Sequence, residues 1–324
     1  MSAAVDDRRF LVTGAYGCVG AWVVHELVVG RRAVATFDLS GDPRRLALLL
    51  DEDAVRALPH VQGDIADLRV LERAIDEHGI TNVIHLAALQ VPFCRADPPL
   101  GARVNVLGTV NVFEAAKSRE LAPIVFASSV AAFDAVDGGL AVTMSGHPGT
   151  IYGVYKRANE ATASVYRREA GVSSIGLRPH TVYGVGRDQG VTSAPTAAML
   201  AAAARVPYTI PYGGGAQLQL VRDVARAFVG ASLLDYDGAS VHNLPTPRVS
   251  IADVVRTIVE IAPESEGSIG FGDTGLPFPE ELDGSSFEAL VPGFAETPLD
   301  VGIGETIARF RELLAEGRLE RPAV

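Results

Sequence analysis

The sequence predicts an α/β fold: a doubly wound parallel sheet followed by a smaller, mostly C-terminal domain. Three observations lead there. Short apolar runs alternate with stretches of helical periodicity through roughly the first 180 residues. The chain opens on a strand-like run, a glycine-rich turn and a helical pattern. Beyond Pro179 the rhythm breaks, and Gly and Pro become dense around 184–215 and 262–298.

"RFLVTGA" (9–15) is apolar and ends in glycine, which reads as a buried strand. "CVGAWVVHELVVG" (18–30) has helical spacing and closes on a glycine C-cap. "AVATFDL" (33–39), "HVQGDI" (60–65), "NVIHLAA" (82–88), "PIVFASS" (123–129) and "SSIGLRP" (173–179) are further strands. Helical patterns separate them at 67–78, about 98–118 and about 150–170. Strict alternation of apolar strands with helices implies a parallel sheet covered on both faces. Later helices are expected at 194–204, 222–234, 250–261 and 303–315. The alanine-biased "AAMLAAAA" (197–204) reads as helix.

Composition narrows the function. The chain has 324 residues, 48% of them apolar, which is ample for a core. A net charge of −11 argues against nucleic acid and anionic membranes as partners. No apolar run reaches transmembrane length, and "MSAAVDDRRF" is too polar for a signal peptide. Two cysteines, Cys18 and Cys94, without zinc-like neighbours fit a reduced cytoplasmic setting and no metal.

"TGAYGCVG" sets Gly14, Gly17 and Gly20 between the first strand and first helix. A helix start offers unpaired N–H groups and positive dipole, suited to a pyrophosphate, and glycines permit close backbone approach. Asp38 follows at the end of the second strand, placed to accept from adenine-ribose hydroxyls and to repel a 2′-phosphate. This is a Rossmann-type arrangement that predicts NAD over NADP, with Arg44 and Arg45 near enough to favour the latter. Residues 1–185 are expected to form the NAD-binding domain, with 216–248 returning to it, and 186–324 to form most of a substrate-binding domain.

"GTIYGVYKRANE" (149–160) carries the chemistry. Of 28 Lys plus Arg, only Lys117 and Lys156 are lysines. A chain that so prefers arginine has kept at 156 a compact point charge with rotatable donors. Positions i and i+4 share a helix face, so Tyr152 and Lys156 converge while Tyr155 turns elsewhere. A nearby ammonium is expected to lower the Tyr152 pKa and make it a usable acid/base.

"TGAYGCVG", Asp38, "GDI", "HLAA", "VNVLGTVNVFEAA", "FASS", "YGVYK" and "LRPHTVYGVGR" resemble, in order and spacing over roughly 8–245, the extended short-chain dehydrogenases/reductases, the NAD-dependent epimerase/dehydratase family. The resemblance implies bound NAD and a Ser/Thr-Tyr-Lys catalytic group: Ser129, Tyr152 and Lys156. Ser129 aligns better than Ser128 with the catalytic hydroxyl, or else caps a turn. The loop residues Tyr16, Cys18 and Val19 join the glycines in the cofactor set. Asp64 and Ile65 resemble an adenine-contacting pair, Leu86, Ala87 and Ala88 the loop beside phosphates and ribose, and Pro179, His180 and Val182 the segment under the nicotinamide amide. Asn105 resembles a helix asparagine that orders the active site, or is a polar helix–helix contact. Family members often dimerise through the helices at 98–118 and 150–170, so a homodimer is implied.

Several residues depart from the family pattern. Val130 and Ala131 follow Ser129 where dehydratases carry an acidic pair. "GAQLQLVRDVARAF" (215–228) lacks the arginine with which nucleotide-sugar epimerases grip a diphosphate, Arg222 standing at the helix start. The connection "VAAFDAVDGGLAVTMSGHPGTI" lacks the acidic lead-in of sugar-nucleotide enzymes. For substrate, Gln90, Arg187, Thr192, Ser193, His147 and His180 are candidates beside Ser129, Arg187 as a carboxylate partner; "SAP" alternatively caps the next helix. The expectation is an NAD-dependent oxidoreductase acting on a secondary alcohol or ketone of a small polyhydroxylated compound: a sugar, sugar acid or hydroxy acid. The alternatives are a sugar or nucleotide-sugar epimerase with tightly bound NAD, and a non-catalytic nucleotide-sensing protein.

Overall fold

Seven parallel strands form the large sheet of a computed structural model that describes residues 7–119, 121–134 and 147–322. The start of "MSAAVDDRRF" and most of the connection between Ser129 and Tyr152 lie outside the described residues.

In chain order the strands are β1 (Arg9–Thr13), β2 (Ala33–Asp38), β3 (His60–Gln62), β4 (Asn82–His85), β5 (Ile124–Ala127), β6 (Ser174–Arg178), β7 (Thr181–Tyr183), β8 (Tyr208–Ile210), β9 (Gly215–Leu220), β10 (Ala239–Asn243), β11 (Arg248–Ser250) and β12 (Ile269–Phe271). The large sheet runs β3-β2-β1-β4-β5-β6-β10. Strand order reverses between β1 and β4, where Thr13 stands beside His85. Ligands of such sheets bind beyond the carboxyl ends of strands at this reversal.

The longer helices are α1 (Cys18–Val29), α2 (Leu68–His78), α3 (Gly108–Lys117), α4 (Ile151–Ala170), α5 (Ala194–Ala204), α6 (Val221–Ser232), α7 (Ile251–Ile261) and α8 (Leu299–Ala315). Alternate residues of β1 point to opposite faces. Phe10 and Val12 pack with Val24 and Leu27 of α1 and with Val224 and Phe228 of α6. Leu11 packs with Leu71 of α2 and Val112 and Phe113 of α3. Asp67 caps α2, Thr150 caps α4, and left-handed Gly79 and Gly171 end them.

The single helix expected over about 98–118 is broken. It runs as Pro98–Ala102, a π turn at Arg103–Leu107 and then α3. The π turn carries Asn105, which is buried.

The later chain builds a second core. β11, β9 and β7 form a small sheet, β12 and β8 another, and α5, α7 and α8 share Met199, Ile258, Ile307 and Phe310. Within 216–248, α6 and β10 join the large sheet, whereas β9 pairs with β7 and β11. Among the described residues, no helix is long and apolar enough to cross a membrane.

Candidate active site

The turn between β1 and α1 is closed too tightly for side chains. Gly14 has φ +69°, and a Cβ there would lie 2.7 Å from the Ala87 nitrogen. A Cβ on Gly20 would lie 2.0 Å from the Gly14 carbonyl oxygen. Asp38 accepts from the Tyr16 N–H at 2.9 Å and the Ser40 N–H at 3.0 Å, so its carboxylate is fixed at the end of β2. Around these groups lies a cavity of about 630 Å³. Gly14, Tyr16, Gly17, Cys18, Asp38, Asp64, Ile65, Leu86, Ala87 and Ala88 line it. Burial pushes the Cys18 thiol up to about 11, so it brings no negative charge to this loop. Asp64 accepts from Arg103 at 2.6 Å. The close-approach glycines, helix N-terminus and fixed carboxylate suit a dinucleotide. Arg45, which could favour a 2′-phosphate, is ion-paired with Asp188 at 2.8 Å.

A chain of buried hydrogen bonds fixes the loop after β4. Thr109 donates to the Asn105 carbonyl at 2.7 Å, so its oxygen accepts from His85 Nε2 at 3.0 Å. His85 Nδ1 therefore accepts from the Thr13 hydroxyl at 2.8 Å. Burial, with Lys156 nearby, drives the His85 pKa down to about 3, keeping the ring neutral. Asn105 accepts from the Leu89 N–H at 2.7 Å and donates to the Leu89 carbonyl at 2.9 Å. Asn105 lines neither cavity. It holds the loop that does, and the Asn105 carbonyl also ties to Asn159 of α4.

The two serines after β5 have different partners. Ser128 donates to Glu160, which also takes two hydrogen bonds from Arg178 at 2.7 Å. Ser129 accepts from the Ala131 N–H at 3.2 Å and lines the same cavity as Tyr152. Tyr155 faces away and donates to the Pro98 carbonyl at 2.8 Å. A Cβ on Gly153 would lie 2.0 Å from the Ala131 oxygen, which brings the start of α4 against the Ser129 loop. Lys156 is 4% exposed, lies 5.5 Å from the Tyr152 ring centre, and donates to the Ala127 carbonyl at 2.6 Å.

The electrostatics differ from the sequence expectation. Burial pushes the Tyr152 phenol up to about 12; the Ser129 side chain and the Arg187 charge pull the other way. Burial also brings Lys156 down to about 8. In the protein alone, desolvation outweighs the attraction that was expected to make Tyr152 acidic.

A second cavity, about 310 Å³, adjoins the first. Val19, Gly20, Gln90, Ser129, Thr150, Tyr152, Lys156, Pro179, His180, Val182, Arg187 and Thr192 line it. Ser193 does not: its hydroxyl donates to the Gly190 carbonyl at 2.8 Å. His147 is exposed and lines neither cavity. His180 donates through Nε2 to the Pro279 carbonyl at 2.7 Å, pinning a wall of Leu276, Pro277 and Phe278. The sequence reading missed that wall and Thr150; its only trace is the Gly/Pro-dense stretch 262–298. Among the described residues, Gln90 Oε1 and Arg187 Nε are buried without hydrogen-bond partners. Arg187 spans the seam and lines both cavities. In the 215–228 stretch Gln219 is buried and Arg222 pairs with Glu305 at 2.9 Å. Among the described residues, no group of His, Cys, Asp or Glu could hold a metal.

A Rossmann-type sheet, a glycine loop with Asp38, and Ser129, Tyr152 and Lys156 meeting beside it define an NAD-dependent enzyme of the extended short-chain dehydrogenase type. The chain belongs to the NAD dependent epimerase/dehydratase family, whose match covers residues 10–238. UDP-glucuronate 4-epimerase 2 of Arabidopsis thaliana is 33% identical over 201 residues, which is 56% of this chain and 44% of that protein. The chain thus spans less than half the length of that relative. UDP-glucose 4-epimerase of Mycolicibacterium smegmatis is 30% identical over 69% of this chain and 72% of its own. The Thermus thermophilus UDP-glucose 4-epimerase, solved with NAD, aligns with a TM-score of 0.75 at 26% identity, covering 94% of this chain and 99% of that one.

Proposed function

We propose that this chain is a dehydrogenase for a secondary alcohol on a small polyhydroxylated compound, or a reductase of the corresponding ketone. The carrying observation is the meeting of Ser129, Tyr152 and Lys156 in a cavity of about 310 Å³ that adjoins the dinucleotide cleft. NAD, when bound, accepts or returns a hydride. Tyr152 takes the hydroxyl proton in oxidation and returns it in reduction. Ser129 donates to the reacting oxygen as charge develops on it. The raised Tyr152 pKa keeps the phenol protonated, the form needed in the reducing direction. Positive charge gathered beside it on ligand binding would bring it into range as a base. Lys156 supplies a compact cation at the carboxyl end of β5, where its donors would hold ribose hydroxyls. Arg187, with one N–H unpartnered, fits a carboxylate of the substrate.

The relatives favour a second reading, in which hydride returns to the opposite face and no net NADH appears. Against a nucleotide-sugar substrate stands the absent arginine in 215–220. A screen of NAD+ reduction over sugars, aldonates, uronates and hydroxy acids, with mass spectrometry of copurified ligands, decides between them. Stoichiometric NADH from one of these supports the dehydrogenase. Inversion of a sugar hydroxyl without NADH sinks it. We further infer a homodimer, supported by exposed Leu100, Leu107, Ile151, Val154 and Val165 on the segments at 98–107 and α4, and a cytoplasmic location, supported by two unpaired cysteines. Light scattering in solution tests the first, and subcellular fractionation the second.

A further inference from the structure

Arg45 follows β2 by a short loop, and its guanidinium lies against the phosphate loop, donating through Nη1 to the Tyr16 carbonyl at 3.2 Å. The N–H of the same Tyr16 donates to Asp38. A carboxylate and a guanidinium are therefore held at the two ends of one residue, at the adenine-ribose end of the cleft. Asp38 repels a 2′-phosphate, whereas an arginine in this region is the group that accommodates one. Arg45 is not available for that task. Its Nε donates to both oxygens of Asp188, at 3.0 and 3.2 Å, and its Nη2 donates at 2.8 Å. The Arg45 side chain is 15% exposed.

Asp188 comes from far along the chain, on the turn after β7. Gly184, Gly186 and Gly190 have φ of +125°, +87° and +91°, a backbone few other residues adopt. Trp22 Nε1 donates to the Val185 carbonyl at 2.8 Å and pins the start of the turn. Asp188 and Gln189 then lie over the cofactor cavity. Arg44 also lines this cavity, but it is well exposed and lies 3.9 Å from Asp42, whereas Arg45 is the guanidinium held against the phosphate loop.

We propose that Asp188 is a cofactor-specificity residue, acting by engaging Arg45, a guanidinium held against the phosphate loop that would otherwise receive a 2′-phosphate. Selectivity for NAD then rests on two carboxylates, Asp38 by repulsion and Asp188 by sequestration. Removing the first leaves the second in force. This concerns the cofactor cleft alone and holds whichever substrate reading is correct.

The test is calorimetric binding of NAD+ and NADP+ to four proteins: the wild type, Asp38→Ala, Asp38→Ala/Asp188→Asn, and the latter with Arg45→Gln. Asp38→Ala alone should still bind NADP+ more weakly than NAD+. Adding Asp188→Asn should tighten NADP+ by on the order of tenfold, the scale of one charge-assisted contact, and change NAD+ by less than about threefold. Arg45→Gln should erase that gain. NADP+ affinity in the double variant equal to that of Asp38→Ala overturns the proposal, as does a gain that survives Arg45→Gln. If Asp188→Asn does not fold, Asp188→Ala is read against the same outcomes.

Discussion

The ammonium of Lys156 donates to the carbonyl oxygen of Ala127 across 2.6 Å, joining α4 to the carboxyl end of β5. A guanidinium is a planar fork and does not fit a slot made for one point donor. Lys156→Arg should fold, because charge and helix are kept, yet lose on the order of 100-fold in kcat through misplacement beside the reacting atoms. Steady-state rates with a circular-dichroism control check this. An unchanged rate removes Lys156 from the mechanism.

Tyr152 and Tyr155 should separate cleanly. Tyr152→Phe removes the phenol that meets Ser129, so turnover should vanish while NAD+ binding survives. Tyr155→Phe leaves the Pro98 carbonyl without its donor, at a cost of about 1 kcal/mol in stability, with most activity kept. The reverse pattern in kcat would show that the wrong tyrosine has been assigned.

Acid should destabilise the fold well above the carboxylate range. His85 and His180 are held neutral, with pKa values of about 3 and about 4 against 6.5 unfolded. As pH falls below 6.5 the unfolded chain takes up protons that the folded chain refuses. Stability is thus fully present above 6.5 and declines toward pH 4 and below. Each group should remove on the order of 2 kcal/mol between pH 7 and pH 5. Urea titrations at the two pH values measure the loss, and His85→Gln should reduce the slope. A wild-type free energy independent of pH across that range would mean that the rings ionise in place.

Arg187 offers the sharpest probe of the substrate. Arg187→Met keeps the apolar stem but gives up the charge and the unpartnered N–H. For a substrate with a carboxylate, KM should rise by at least about tenfold, the scale of one charge-assisted hydrogen bond. A neutral substrate should show a smaller change. Equal effects on both would leave Arg187 a cofactor or loop residue.

Much of this was legible in the chain. β1, the glycine turn, α1 and Asp38 are local in sequence, and their chemistry depends on neighbours a few residues away. The helical face shared by Tyr152 and Lys156 is local too. β10 was not legible, because "ASVHN" is a half-buried edge strand on β6 and needs no apolar run. The π turn at Arg103–Leu107 was not legible in what read as one continuous helix, although the resemblance had marked Asn105, which the turn carries, as a residue that orders the active site. Arg45 and Asp188 meet only through the tertiary fold. The Tyr152 pKa was misjudged for a similar reason: the desolvation that raises it is set by residues from many elements, whereas its lysine neighbour could be read directly from the helix.

The scarcity of lysine gives the molecule an unusual response to amine-directed reagents. Lys117 stands half exposed at the end of α3 beside Glu114, whereas Lys156 is enclosed and has a lowered pKa. Of the two side-chain amines, one is always on offer to solvent and the other only when its enclosure opens. Label found at Lys156, read against label at Lys117 in the same chain by peptide mapping, therefore reports how often that enclosure opens.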